Sequence, residues 1–341
     1  MVLVVVGVYD SAGARTLIRE PHEFCLPPAP AVLQETGGRG TDELRSEGGC
    51  KGDVVRQLLL VGAALALFLA GVAPAPRAEE PAPGAGTSRA LILVGLPGDA
   101  EHEKLFGDVA RQWRDWIVGA MDCRPDDVRV LFGRSGKDGL AKEPATRKAI
   151  EREVAGIKES LKPGDRLWVF FLGHADYDGE RASLHLAGPD LRGDELGKLF
   201  AGLTCREQVF WMTTPASGWF VRALSAKGRI VIAATAADAE YNETEFPQAL
   251  ADVMKRPPDK LTADKDGKVS VLDLYRQTVK EVEARFARDK RVPTEHAQLD
   301  DNGDGVGTEE PVVEADAGKK PTADGALAAR TFLPLRTKAK E

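Results

Sequence analysis

Residues 168–177 read WVFFLGHADY, and residues 208–219 read QVFWMTTPASGW. Each opens on a short, continuous apolar run, the pattern of a strand covered on both faces. The first run delivers His174 just past its end, after Gly173. The second ends in a turn of Thr213, Thr214, Pro215, Ala216 and Ser217 ahead of Gly218. If both strands belong to one parallel sheet, the histidine and the turn meet at its carboxyl edge, where ligands and catalytic groups gather in α/β proteins.

Similar runs recur outward from this pair: ALILVG (90–95), VRVLFG (128–133), RLWVFFLG (166–173), EQVFWMT (207–213) and RIVIAATA (229–236). Between them lie helical patterns. Leu105, Val109, Trp113, Trp116, Ile117 and Ala120 recur at helical spacing over 100–121, and Ile150, Val154, Ile157 and Leu161 over 145–161; 194–203 and 217–225 are shorter versions. Strand and helix in alternation predict a three-layer α/β/α domain over 89–255, with a mainly parallel sheet of five or six strands.

The run ATRKAIEREVAGIKESLKPGDRLWVFFLGHAD (145–176) resembles the segment leading to the catalytic histidine in the caspase and legumain group of cysteine peptidases, where a helix, a Gly-Asp turn and a strand end in Gly-His-Gly. RIVIAATAADAEYNETEF (229–246) is similar to their next strand and the substrate-pocket loop after it. The resemblance spans roughly residues 89–255 and implies that His174 is the family histidine and Glu243 a pocket residue. In that family the nucleophile stands in an acidic-Ala-Cys-x-Ser-Gly turn. Aligned on Ser217 and Gly218, this chain has Thr213 for the acid, Thr214 for the alanine and Pro215 for the cysteine, with Ala175 in place of the glycine after the histidine.

Thiolate attack needs a sulfur whose proton the histidine takes, and proline has no nucleophilic atom. Two classes of function follow. One is a non-catalytic domain of this fold, binding a peptide or protein ligand or acting as a scaffold. The other is an active hydrolase in which His174 works with the hydroxyl of Ser217 or Thr214, since serine nucleophiles do sit on sharp strand-to-helix turns.

After Lys255 the composition shifts, and 256–310 is expected as a region of EF-hand-like loops and a helix. Counted from Thr262, a loop places Asp264, Asp266, Gly267, Ser270 and Asp273 at positions three, five, six, nine and twelve of a calcium loop. In LDDNGDGVGTEE, Asp300, Asn302, Asp304 and Gly305 fall at the first, third, fifth and sixth positions, while position twelve is Pro311. Calcium is the cofactor this pattern suggests. The competing reading is an ordinary acidic turn capped ahead of the helical stripe Val271, Leu274, Tyr275, Thr278, Val279, Val282 and Phe286. Residues 311–341 are expected as a mostly flexible tail with a short helix in LAARTFLPL (327–335).

Upstream, the apolar stretch from Leu58 to Ala73 follows Arg56 and precedes a Pro- and Ala-rich segment, so 54–78 reads as a secretory signal or membrane anchor. Residues 1–53 then read as an unfolded tail or an extension ahead of the true start, and 79–88 as a linker. An exported protein, periplasmic or extracellular, is the expectation, touching a membrane only through 58–73 if that segment is retained. A net charge of -7 gives no basic footprint for nucleic acid. Cys123 and Cys205 each precede a strand at the non-catalytic edge, and the simpler reading is two separate thiols.

Overall fold

The computed structural model describes residues 86–121, 123–262, 267–313 and 323–336. All of them fall in one compact unit, Ala78–Glu341. The leader, its apolar segment, and Asp264 and Asp266 lie outside the described residues. Among those that are described, no helix is long and apolar enough to cross a membrane.

The main sheet has six strands in the order β2-β1-β3-β7-β8-β9. They are β1 (Ser88–Val94), β2 (Cys123–Phe132), β3 (Arg166–Leu172), β7 (Glu207–Met212), β8 (Arg229–Ala233) and β9 (Gln298–Asp300). The first five pair in parallel, and β9 runs antiparallel to β8. A small antiparallel sheet of β4 (Ala175–Tyr177), β5 (Ala182–Leu184) and β6 (Leu191–Arg192) stands just after β3.

Side chains alternate across a strand, so each strand feeds two cores. On one face, Trp168 and Phe170 of β3 and Trp211 of β7 pack with α1 (Ala100–Gly119), α5 (Phe246–Met254), α6 (Val271–Arg288) and α7 (Ala326–Arg330). On the other, Leu167, Val169, Phe171, Phe210 and Met212 pack with α2 (Arg147–Ser160), α3 (Gly193–Leu199) and α4 (Gly218–Leu224). This is the three-layer α/β/α architecture with a mainly parallel sheet.

The segment after Lys255 is built into the same fold: α6 packs on α5 within one core, and β9 extends the sheet beyond β8, with Leu299 exchanging both backbone bonds with Thr308 at 3.0 Å. The described part of the tail, residues 323–336, carries α7 and is bonded to the rest of the domain. Asp324 is 2% exposed, and the stretch around α7 is held by Val271 N to Thr331 O and Leu333 N to Val269 O, each 2.8 Å. Composition could not show this, because the partners of these groups are distant in sequence. The thiols are separate, Cys123 Sγ bonding Ser88 O and Cys205 Sγ bonding Glu207 O.

Candidate functional site at the strand ends

β1 has β2 on one side and β3 on the other, so the chain reverses its direction of winding between β1 and β3. A crevice opens beyond the carboxyl ends of strands at such a point. His174 stands at its lip. Gly173, at φ 135°, lets the chain turn there, and a Cβ on it would come within 3.1 Å of Gly95 N. His174 Nε2 lies 3.0 Å from Pro97 O. A carbonyl only accepts, so this nitrogen carries the proton. The ring packs edge-on against His102 at 5.0 Å and tilted on Phe106 at 5.3 Å.

His102, on the first turn of α1, was not singled out by the sequence. Its Nδ1 lies 2.8 Å from Asp99 Oδ2 and its Nε2 3.2 Å from Glu243 Oε2. These two carboxylates hold the imidazole pKa above its usual value. The signal was Asp99 itself, an N-cap that also accepts from His102 N. The Glu243 contact spans 141 residues and leaves no local trace.

The turn after β7 is fully buried from Thr213 to Gly218. Thr213 Oγ1 donates to Phe171 O at 2.6 Å. Ser217, 0% exposed, is bonded to Thr235 through N–H to Oγ (3.0 Å) and Oγ to Oγ1 (3.2 Å), with Gly218 N also donating to Thr235 Oγ1. Thr214 Oγ1 is buried without a hydrogen-bond partner among the described residues. Neither hydroxyl is bonded to His174. Ala216 takes the left-handed conformation, φ 52°, its N–H donating to Glu240 O at 3.0 Å. Gly173, Thr213, Pro215, Glu243 and Thr244 line a space of about 10 Å³, on the order of one water molecule. A wider cleft of about 530 Å³ opens on the other side of the turn, beside the stacked rings of Tyr177 and Trp219, 3.8 Å apart.

The described acidic residues of these loops are engaged with their own backbone. Asp300 accepts from Gly303 N (3.0 Å) and Gly305 N (3.2 Å), Asn302 Oδ1 from Asp304 N, and Asp304 from Val306 N. Asp273 and Ser270 form the capping box that opens α6. Among the described residues no group of three or more His, Cys, Asp or Glu is placed to hold a metal ion. Asp301 and Asp324, which the calcium pattern skips, tie the loop to α7: Asp301 accepts from Gly325 N and Ala328 N, and Asp324 from Asp301 N and Thr308 Oγ1.

Sheet order, layers and a strand-end histidine define an α/β/α domain of the mainly parallel kind. No family model and no curated protein matches the sequence. Among solved structures, the chain is similar to a structural-genomics protein from Geobacter sulfurreducens, with 14% identity, coverage of 63% of this chain and 92% of that one, and a TM-score of 0.39. It is also similar to a secreted C11 cysteine protease from Bacteroides thetaiotaomicron, solved in complex with an irreversible peptide inhibitor, with 10% identity, coverage of 64% and 67%, and a TM-score of 0.36.

Proposed function

We propose that this chain is an exported caspase- or legumain-like domain without peptidase chemistry, acting as a binding or scaffolding module for a peptide or protein. The observation that carries this reading is the turn after β7. Pro215 occupies the place where the family resemblance puts a cysteine, beside a space of about 10 Å³. His174 has Pro97 O as the partner of Nε2, and the Ser217 hydroxyl is spent on Thr235. A general base must reach the proton it removes, at about 2.6–3.2 Å or through one water. Export is supported by the sequence of the 54–78 segment alone. The cleft beside Tyr177 and Trp219 falls within the roughly 300–1,000 Å³ of ligand sites, which supports a binding role.

The test is labelling of the purified full-length chain with irreversible peptide-based cysteine-peptidase probes and with a fluorophosphonate. No labelling at the strand-end site is expected from either. Thiol-probe labelling that His174→Ala abolishes would overturn the reading, and fluorophosphonate on Thr214 or Ser217 would install the hydroxyl hydrolase in its place.

Calcium belongs to this proposal as a weak structural ligand of the loop from Asp300 to Gly305. Support comes from the spacing of Asp300, Asn302 and Asp304 and from Gly305 at φ 82°, the sharp-turn glycine of a calcium loop. With an incomplete ligand set, its Kd belongs in the range of roughly 10⁻⁴–10⁻³ M. Calcium in the millimolar range should raise the Tm of wild type relative to chelator, and Asp304→Ala should remove that rise. An equal Tm in both media removes calcium from the proposal.

A further inference from the structure

The loop between β8 and α5, residues 236–245, lies over the Pro215 turn. Glu240 O accepts from Ala216 N at 3.0 Å, and Thr244 Oγ1 donates to Thr213 O at 2.7 Å. Titratable groups from two other places in the chain, His102 on α1 and the neighbouring Glu295 and His296, contact this loop. At one end, His102 of α1 bridges Glu243 and Asp99. A neutral imidazole has one N–H, and carboxylates only accept, so both contacts are satisfied together only by the imidazolium. In the middle, His296 bonds Glu240 twice, through its backbone N–H at 2.9 Å and through Nδ1. At the far end, buried Glu295 takes the N–H of Glu245 on both carboxylate oxygens, at 3.0 and 3.1 Å.

We propose that residues 236–245 form a proton-controlled cover over the Pro215 turn: charged His102 and charged His296 hold it down, and loss of their protons releases it.

The surroundings of each group point the same way. His102 faces Asp99, Glu243 and the ring of His174. His296 faces Glu240, with Glu309 and Asp238 adding negative charge, and Glu240 first of all raises its pKa. Burial pushes the Glu295 carboxyl up to about 8, and the charges of Glu245 and Glu240 add to that. Arg285 and Arg291 pair with Glu245. Both histidines therefore bind their protons more tightly in the closed form. Their hold on the loop is complete below the ordinary value of 6.5. It is lost as pH rises through the raised values.

Hydrogen–deuterium exchange on the full-length chain between about pH 5.5 and pH 9, corrected for intrinsic rates, tests this. Amides of 236–245 should lose protection as pH rises, roughly tenfold for each pKa unit by which a group is raised, while those of β3 keep theirs. Glu295→Gln keeps an acceptor for Glu245 N–H but takes that carboxyl out of the titration, and the loss should persist in it. Combined His102→Ala and His296→Ala should abolish it, leaving the loop weakly protected throughout. Flat protection of 236–245 in wild type overturns the proposal, and so does an unchanged pH-dependent loss in the double variant. If the double variant does not fold, the wild-type series and Glu295→Gln decide. The outcome is read without any probe for the strand-end site, so it stands or falls separately from the function proposed above.

Discussion

Arg229, 4% exposed at the start of β8, is held by uncharged acceptors: Leu224 O at 2.6 Å, Phe200 O at 2.7 Å and Gln208 Oε1 at 2.9 Å. Its guanidinium also lies over the Phe210 ring at 4.5 Å. Burial draws its pKa down to about 10. A planar fork matches these oxygens, whereas the point charge of lysine does not. Arg229→Met should therefore leave carbonyls unpaired and cost about 2–4 kcal/mol in denaturant unfolding. Ser217→Ala removes the hydroxyl that Thr235 uses, and a loss of about 1–3 kcal/mol is expected. Ser217 is 0% exposed and its hydroxyl is bonded to Thr235. Nothing local in the chain distinguishes a hydroxyl facing a histidine from one facing the next strand's threonine.

Among the elements, the strands of the parallel core were legible because they are short, apolar on both faces and separated by helical stripes. Each was found within a few residues except β2, which begins at Cys123 where the apolar run begins at Val128. Its first residues carry Pro and charge at the sheet's edge, so burial left no signal there. β9 was missed for a different reason. Its three residues lie inside an Asp-rich stretch that reads as a ligand loop, and only pairing with β8 makes them a strand. The acid that this reading passed over, Asp301, carries two backbone bonds to the segment of α7. Asp301→Ala should free that segment, seen as faster limited proteolysis after Gly325 and a loss of about 1–3 kcal/mol. Ser270→Ala breaks the capping box of α6 and should cost about 1 kcal/mol, read from the urea midpoint.

At the scale of the whole molecule, the C-terminal stretch is part of the core. Ala328 and Leu333 are buried with α6, and Arg336 N reaches Ala120 O at 2.8 Å, after α1. A chain ending at residue 322 should lose at least the burial of Leu333, about 1.5–3 kcal/mol, and melt several degrees lower by calorimetry. β9 has a further consequence, for how copies of this protein meet. A parallel sheet ending at β8 would present a row of open N–H and C=O groups on which a second molecule could continue the ladder. Here β9 takes the inner row, and Leu299 spends its outward bonds on Thr308. The rim that stays available is β2, which meets an approaching strand with Arg124, Pro125, Asp126 and Asp127. Edge-to-edge growth of the main sheet is thus closed off at one border by the chain's own backbone and discouraged at the other by charge and proline.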